Sequence, residues 1–137
     1  NAIFIVCPNG KKILIDGGNR TPSYDAGAQI IVPFLRSKGY HHIDIVIISH
    51  PHTDHYGGLI SVLNAVTVGE IITSGRTSTS TAYKAWRDAI IQHEIRYRAV
   101  TSGDTLRGLG RVQGVILNPT RFMMEQEERI DTMMHRL

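Results

Sequence analysis

The sequence predicts an α/β fold, and three observations lead to this. Segments with strand-like and helix-like spacing of apolar residues alternate along the chain. Residues 43–48 are almost wholly apolar and β-branched, as in a strand buried on both faces. Directly after that strand, three histidines and one aspartate fall within six positions, at the strand end where α/β folds place their chemistry. With 42% hydrophobic residues, residues 1–137 can bury one core, so we expect one domain.

Composition constrains the partners and the environment only loosely. The chain has 15 Lys and Arg against 12 Asp and Glu, and the pI of about 9.3 is compatible with a polyanionic partner without requiring one. Cys7 is the single cysteine, which excludes an internal disulfide and a zinc site built from several cysteines. The sequence has no apolar run of about 20 residues and no signal-peptide pattern, so a membrane link would lie in other segments of a parent protein.

The first predicted element is a β-hairpin. Residues 2–7 and 12–16 form its arms, and the turn between them contains Asn9-Gly10, a pair that can take the positive φ angles of a tight hairpin. Asp16 stands at the end of the second arm, directly before two glycines. The sequence opens within a strand, and we therefore expect a fold that begins upstream.

The later elements alternate between helix and strand. Residues 19–25 are predicted to form a loop. Residues 26–38 are predicted to form a helix that is either kinked at Pro33 or starts late, followed by Gly39 as the C′ residue. After the buried strand, the spacing predicts a helix over 59–66, a strand over 70–74, a helix over 81–94, strands over 97–101 and 112–117, and a terminal helix over 122–137. The apolar stripe of the terminal helix indicates a face that packs on a core, and consists of Ile130, Met133, Met134 and Leu137.

The motif after the buried strand, His50-x-His52-x-Asp54-His55, has the donors of a metal site. Neutral imidazole nitrogen and carboxylate oxygen are ligands that zinc, manganese and iron accept. His50 and His52 are two positions apart and point the same way in extended chain, so they can hold one ion as a pair. A turn that begins at Thr53 can bring Asp54 and His55 toward a second ion. A two-ion site of this kind activates water for hydrolysis near neutral pH.

The remaining histidines have different surroundings. His41 and His42 lie in a polar turn before the strand and are expected on the surface. His93 is expected to cap or pack on its helix, and His135 to be a residue of the tail rather than a ligand.

The motif resembles the signature of the metallo-β-lactamase superfamily. The wider pattern is similar to the soluble hydrolase domain of ComEC-type DNA-internalisation competence proteins, over about residues 2–119. It comprises Pro8-Asn9-Gly10, the run 13–18 with Asp16-Gly17-Gly18, residues 32–36 with Gly39, and Ser49-His50-Pro51-His52-x-Asp54-His55-x-Gly57-Gly58-Leu59.

The resemblance implies a metallo-β-lactamase-like αββα sandwich, of which this chain would form the N-terminal half, with residues 120–137 as a C-terminal helical tail. It implies two divalent metal ions, zinc first and manganese as the alternative. His50 and His52 would bind the first ion, and Asp54 and His55 the second. Asp54 would also be the catalytic residue that positions the attacking water. Asp16 would orient a ligand or a water, and a turn residue bonded to its own backbone is the alternative role.

The sequence also departs from the family pattern. The family completes its site with a bridging aspartate and a further histidine, and no residue here clearly matches either. Asp104 follows Gly103 in a turn, and we expect it to serve that turn. Asp131 and His135 lie in a tail that the family does not share. We therefore expect an incomplete set of metal ligands.

Three functions follow as hypotheses. The first is a metal-dependent hydrolase domain that acts on phosphodiester bonds of DNA during uptake, outside the cytoplasmic membrane in the cell envelope. The second is a catalytically silent module that binds DNA or supports assembly, with phosphate contacts from basic residues. The third is a metallo-hydrolase of another ester or lactam. The basic residues in question are Arg76, Lys84, Arg87, Arg96, Arg98, Arg107 and Arg111.

Half of a sandwich would leave one face of its sheet uncovered. That face should be apolar and large enough to drive association. We therefore expect either a homodimer or a missing second half-domain as the partner, or else coverage of the face by the helix over residues 122–137.

Overall fold

The computed structural model describes residues 1–136, and its centre is a five-stranded sheet. The strands lie in the order β1 (Ile3–Val6), β2 (Lys12–Ile15), β5 (His42–Ile48), β6 (Thr67–Thr73) and β7 (Arg96–Ala99). β1 and β2 are antiparallel, and the other neighbours are parallel. Two short ribbons pair β3 (Arg20–Thr21) with β4 (Tyr24–Asp25) and β8 (Thr105–Leu106) with β9 (Gly114–Val115). The predicted α/β class is confirmed.

Helices connect the parallel strands. They are α1 (Val32–Ser37), α2 (Thr53–Tyr56), α3 (Leu59–Ala65), α4 (Thr81–Gln92) and, after the last ribbon, α5 (Arg121–Met134). A π-helical turn, Gly27–Ile31, leads into α1 and places Pro33 near its start, where a proline removes no helical hydrogen bond. None of the helices within residues 1–136 has the length and apolar character needed to cross a bilayer.

The predicted hairpin is confirmed, and its turn depends on one glycine. Gly10 N–H donates to Cys7 O at 2.8 Å, and Cys7 N–H donates to Lys11 O at 2.8 Å. Gly10 takes φ +85°, whereas Asn9 is not in the left-handed region. The turn is therefore wider than the two-residue turn that Asn-Gly alone favours.

The main core lies between one face of the sheet and the helices. It contains Val46 and Ile71 from the strands, Leu35 from α1, Leu59 from α3 and Trp86 from α4, each exposed by 1% or less. The parallel strands β2, β5, β6 and β7 follow one another in one direction across the sheet, so right-handed connections place their helices on the same face. The helices therefore fix the position of the strand ends that carry the histidine motif.

The opposite face of the sheet has a smaller core and is partly open. Ile13, Ile45 and Ile72 pack there against Val100 and Leu109 of the segment around β8 and β9. Apolar side chains remain exposed at the edge of this face, namely Ile3 (57%), Ile5 (40%) and Val115 (53%). The face is apolar, as expected of half a sandwich.

The terminal helix forms, but its predicted apolar stripe does not cover this face. α5 buries none of its residues, and Ile130, Met133 and Met134 are 58–67% exposed. The prediction that the tail helix packs on a core through this stripe was wrong, because periodic spacing gives a helix its apolar face without supplying a partner for it. Leu137, the last member of the stripe, lies outside the described residues.

Glycines let three segments meet directly behind the histidine motif. A Cβ on Gly58 would overlap Gly17 O and Gly27 N, and a Cβ on Gly27 would overlap Gly58 O. The end of β2, the π-helical turn and the junction of α2 with α3 therefore touch through backbone atoms. This contact fixes α2, which carries Asp54 and His55, against the sheet.

We expect Gly58→Ala to destabilise the fold by more than about 3 kcal/mol, because the added methyl group meets backbone atoms that cannot rotate away. Urea unfolding measures the change. Gly39→Ala is the matched control. Its added methyl group would meet open space, and alanine at a φ of +69° should destabilise the fold by only about 1 kcal/mol. Equal losses in the two variants would contradict the close approach at Gly58.

The register between β2 and β5 is anchored by Asp44. Its carboxylate accepts the Lys12 N–H at 2.8 Å and the Lys11 ammonium at 3.1 Å. Burial raises the pKa of the Asp44 carboxyl, but these hydrogen bonds and the positive charge of Lys11 outweigh burial and leave the pKa lowered.

We expect Asp44→Asn to cost about 1–2 kcal/mol at pH 7, because a charge-assisted backbone contact is lost. A carboxyl whose pKa is lowered on folding stabilises the protein at pH values above its unfolded pKa of 3.8. This contribution is lost as the pH falls through the folded pKa. Urea unfolding at pH 7 and pH 3 should therefore show a gap between wild type and variant that shrinks at pH 3. Asp88→Asn, on the exposed side of α4, is the control, and a gap independent of pH would argue against this role.

Candidate metal centre

The motif residues lie where β2 and β5 end. These strands are parallel and pair Ile15 with Ile47, so Asp16 and Ser49 follow at the same edge of the sheet. His52 is extended (φ −110°, ψ 151°), and α2 begins at Thr53, as the predicted turn requires. The strand end and the first turn of a helix thus bring all four motif side chains to one corner of the molecule.

His50 and His52 form a close pair. Their ring centroids lie 4.1 Å apart with the rings edge to face, and the centroid of His55 lies 5.8 Å from that of His50. The three imidazoles are therefore gathered, in agreement with the expectation that residues two apart in extended chain point the same way.

Asp16 contacts the Nδ1 side of the His55 ring and fixes its orientation. The Asp16 side chain is 11% exposed, and its carboxylate uses both oxygens: Oδ1 accepts Ser49 N–H at 2.9 Å, and Oδ2 accepts Ser49 Oγ–H at 2.5 Å. His55 Nδ1 lies 2.8 Å from the same Oδ2. Because an ionised carboxylate can only accept, Nδ1 carries the proton and Nε2 keeps its lone pair in the neutral ring. This is the arrangement in which a carboxylate orients a metal-binding histidine.

The free nitrogen of His55 faces Asp54. Nε2 lies 3.5 Å from Asp54 Oδ2, and the Asp54 side chain is 65% exposed. Two donors bound about 2.1 Å from one tetrahedral ion lie roughly 3.4 Å apart, so this separation fits a shared divalent cation. In the neutral ring both atoms are acceptors, so either a proton or a bound cation between them would make the contact favourable.

The charge state of His50 also suits a metal ligand. Burial lowers the pKa of the His50 imidazole, and the neighbouring His52 and Arg76 lower it further. Asp54 acts in the opposite direction but does not reverse the shift. A neutral imidazole with a free nitrogen is the form that binds metal ions.

The donor atoms are of the types that bind metal ions, but they do not form a complete metal site. Within residues 1–136, no three His, Cys, Asp or Glu side chains converge so as to hold one ion. A structural zinc site uses four ligands and a catalytic one at least three from the protein. The chain thus offers two donor pairs, His50 with His52 and Asp54 with His55.

The structure separates the other candidate residues from this corner. Asp104 Oδ2 accepts the Thr101 N–H at 2.9 Å, so Asp104 serves its turn as predicted. His41 and His42 are exposed, and His42 Nδ1 pairs with Thr67 Oγ1. His93 caps α4 and its Nε2 contacts Asn64 Oδ1 at 2.8 Å. His135 is exposed at the end of α5.

The sequence did not predict that Ser49 bonds to Asp16, nor that Arg76, one of the candidate phosphate contacts, lies at this corner. Ser49 gives Asp16 two of its three hydrogen bonds, and its signal was its place directly before His50. Arg76 lines a small gap together with His50 and Pro51. Arg76 follows the end of β6, which is parallel to β5, and that parallel pairing could have pointed to it.

Comparison with known proteins agrees with the fold. The chain is 44% identical over 63 residues to the uncharacterized protein YcaI of Escherichia coli (strain K12). This match covers 44% of this chain and 8% of the relative. It is 30% identical over 82 residues to Recombination protein 2 of Haemophilus influenzae, covering 60% of this chain and 10% of that protein. The chain thus spans a tenth or less of the length of these curated relatives.

A solved structure shows the same fold. The crystal structure of MEM-A1, a subclass B3 metallo-beta-lactamase from a soil metagenome library, matches with a TM-score of 0.51 at 19% identity. The match covers 88% of this chain and 53% of that enzyme, which confirms the predicted metallo-β-lactamase-like fold and is consistent with part of an αββα sandwich. The sequence profile of the metallo-beta-lactamase superfamily matches residues 1–120, and the chain therefore belongs to this superfamily.

Proposed function

We propose that the chain carries part of the active site of a metal-dependent hydrolase that cleaves phosphodiester bonds of DNA. The observation that carries this proposal is the pair Asp54 Oδ2 and His55 Nε2, 3.5 Å apart, beside the pair His50 and His52. Members of the superfamily typically bind divalent metal ions, which supports zinc or manganese as the cofactor. The name of the Haemophilus relative, a recombination protein, supports nucleic acid as the substrate.

Each side chain has a defined task in this proposal. His50 and His52 would hold one ion, and Asp54 and His55 the other. Bound ions of this kind would supply Lewis-acid activation of water and of a substrate oxygen. Asp16 keeps the proton of His55 on Nδ1, so that Nε2 is available as a donor. Asp54, being exposed, is placed to position water at the substrate side of the cluster.

The missing ligands would come from a partner. A second half-domain in the same protein is the source that we favour, because it would also cover the exposed apolar side chains around Ile3 and Ile5. A homodimer is the alternative. We place the protein in the DNA-uptake machinery of the cell envelope, outside the cytoplasmic membrane and attached to it through other segments. The similarity to ComEC-type proteins supports this role.

We expect His52→Ala in the full-length protein to reduce metal-dependent cleavage of a DNA oligonucleotide to background, because one half of a donor pair is lost. Cleavage is measured with added Zn²⁺ and, separately, with Mn²⁺. His41→Ala is the control, since His41 is exposed and lies before β5. Cleavage retained by His52→Ala would refute the proposed metal site.

We expect Asp16→Asn to weaken zinc binding about 10- to 100-fold, because the amide cannot accept from both His55 and Ser49 as the carboxylate does. Zinc titration of the purified chain measures this affinity. Asp25→Asn is the matched control: Asp25 accepts the Ala28 N–H and the Ser61 hydroxyl, as Asp16 accepts from Ser49, but contacts no histidine of the motif. An unchanged zinc affinity in Asp16→Asn would contradict the orienting role.

A second function is favoured by one observation, the lack of a converging group of three donors within the described residues. In that case the chain would be a catalytically silent module that binds DNA or supports assembly. Arg96, Arg98 and Arg107 line a cavity of about 570 Å³ and could contact phosphates, although Glu70 and Asp104 line it as well. DNA binding that depends on salt and is unchanged by excess chelator, with no cleavage under any metal, would favour this module.

A further inference from the structure

A second cavity adjoins the histidine motif. It has a volume of about 440 Å³ and lies at the ends of β5 and β6, where Ser49, Ser74, Arg76 and Asn118 supply polar groups. Ile47 and Ile72 form part of its apolar wall. This size and mixture of surfaces are typical of a ligand pocket. Its position beside Ser49 and His50 places it next to the proposed metal donors.

Arg76 is the cation of this cavity. Its side chain is 25% exposed, and its Nε is buried with no hydrogen-bond partner among residues 1–136. Arg76 also lines the small gap that contains His50. A buried guanidinium N–H without an acceptor is costly, so an anionic oxygen that accepts from Arg76 would be stabilised there.

The guanidinium already holds one carboxylate. Arg76 Nη2 donates to Glu127 Oε1 of α5, and Met123, one turn earlier on α5, lines the same cavity. α5 buries none of its residues, and Glu127 is 47% exposed, so few other contacts fix the helix in this place. Because the Glu127 side of the ion pair is open to solvent, the pair contributes little stability, and another anion can replace the Glu127 carboxylate.

We propose that Arg76 binds a backbone phosphate of DNA at this cavity and that Glu127 of α5 occupies the guanidinium when DNA is absent. The choice of DNA rests on the proposed function. The guanidinium fork matches two oxygens of a phosphate as well as it matches those of a carboxylate, so DNA and Glu127 compete for one group. Residues 121–134 thereby act as a reversible block on the cavity.

The test is binding of a fluorescein-labelled single-stranded 12-mer to the purified chain, with chelator present and salt held constant. Glu127→Gln should tighten binding about two- to fivefold, since the Glu127 carboxylate no longer competes for the Arg76 guanidinium. Glu128→Gln removes the same charge from the same helix and should change binding by less than half as much. Arg76→Gln should weaken binding about tenfold. Arg111→Gln should have a smaller effect, because Arg111 follows Gly110, which packs on Asn9, and is not among the residues that line the cavity.

The double variant decides whether the two residues act together. If Glu127 acts only through Arg76, Glu127→Gln should have no effect in the Arg76→Gln background. An equal gain in Glu127→Gln and Glu128→Gln, or a gain that persists without Arg76, would overturn the proposal. Because no metal is present, these binding measurements do not depend on cleavage. They would hold even if the hydrolase proposal were refuted, and a negative result here would not contradict metal-dependent cleavage.

Discussion

The hydrogen bonds of the buried Asp16 carboxylate hold the candidate site together. One carboxylate joins the end of β2 to the backbone and hydroxyl of Ser49 at the end of β5, and to His55 on α2. A buried charge is costly unless several donors satisfy it, and here three do. Asp16 adopts a φ of +59°, which aspartate tolerates better than most residues. The same contacts that satisfy the charge therefore fix the orientation of a histidine.

Close backbone packing brings the Asp16 carboxylate within hydrogen-bonding distance of Ser49 and His55. The carboxylate reaches Ser49 because β2 and β5 run parallel with Ile15 opposite Ile47. It reaches His55 because Gly17 and Gly58 let α2 approach the end of β2, where His55 O accepts the Gly17 N–H at 2.6 Å. Side chains at those glycines would push α2 outward by about the width of a methyl group. The paired glycines and the histidine motif are thus one structural unit.

The sequence predicted the local features well and the distant contacts poorly. The hairpin, the buried strand His42–Ile48 and the pairing of His50 with His52 depend on neighbours along the chain, and each could be predicted from spacing. The Ser49–Asp16 bonds join residues 33 positions apart, and the Arg76–Glu127 pair joins residues 51 apart. Spacing carries no information on such pairs. α5 shows the same limit, since its apolar stripe predicted a helix but not what the helix contacts.

The division between local and distant contacts also explains why the donors come in pairs. The members of each pair, His50 with His52 and Asp54 with His55, are neighbours within residues 50–55, so one short stretch of backbone brings them together. A third metal ligand for either pair would have to come from a segment far away in sequence, as the orienting contact of Asp16 with His55 does. Within residues 1–136, that corner is approached instead by Arg76, a cation that cannot bind metal but can bind the anion a metal would attract. The described chain therefore gathers two donor pairs and one arginine at one corner, and the second structural unit that we propose would have to supply the remaining metal ligands.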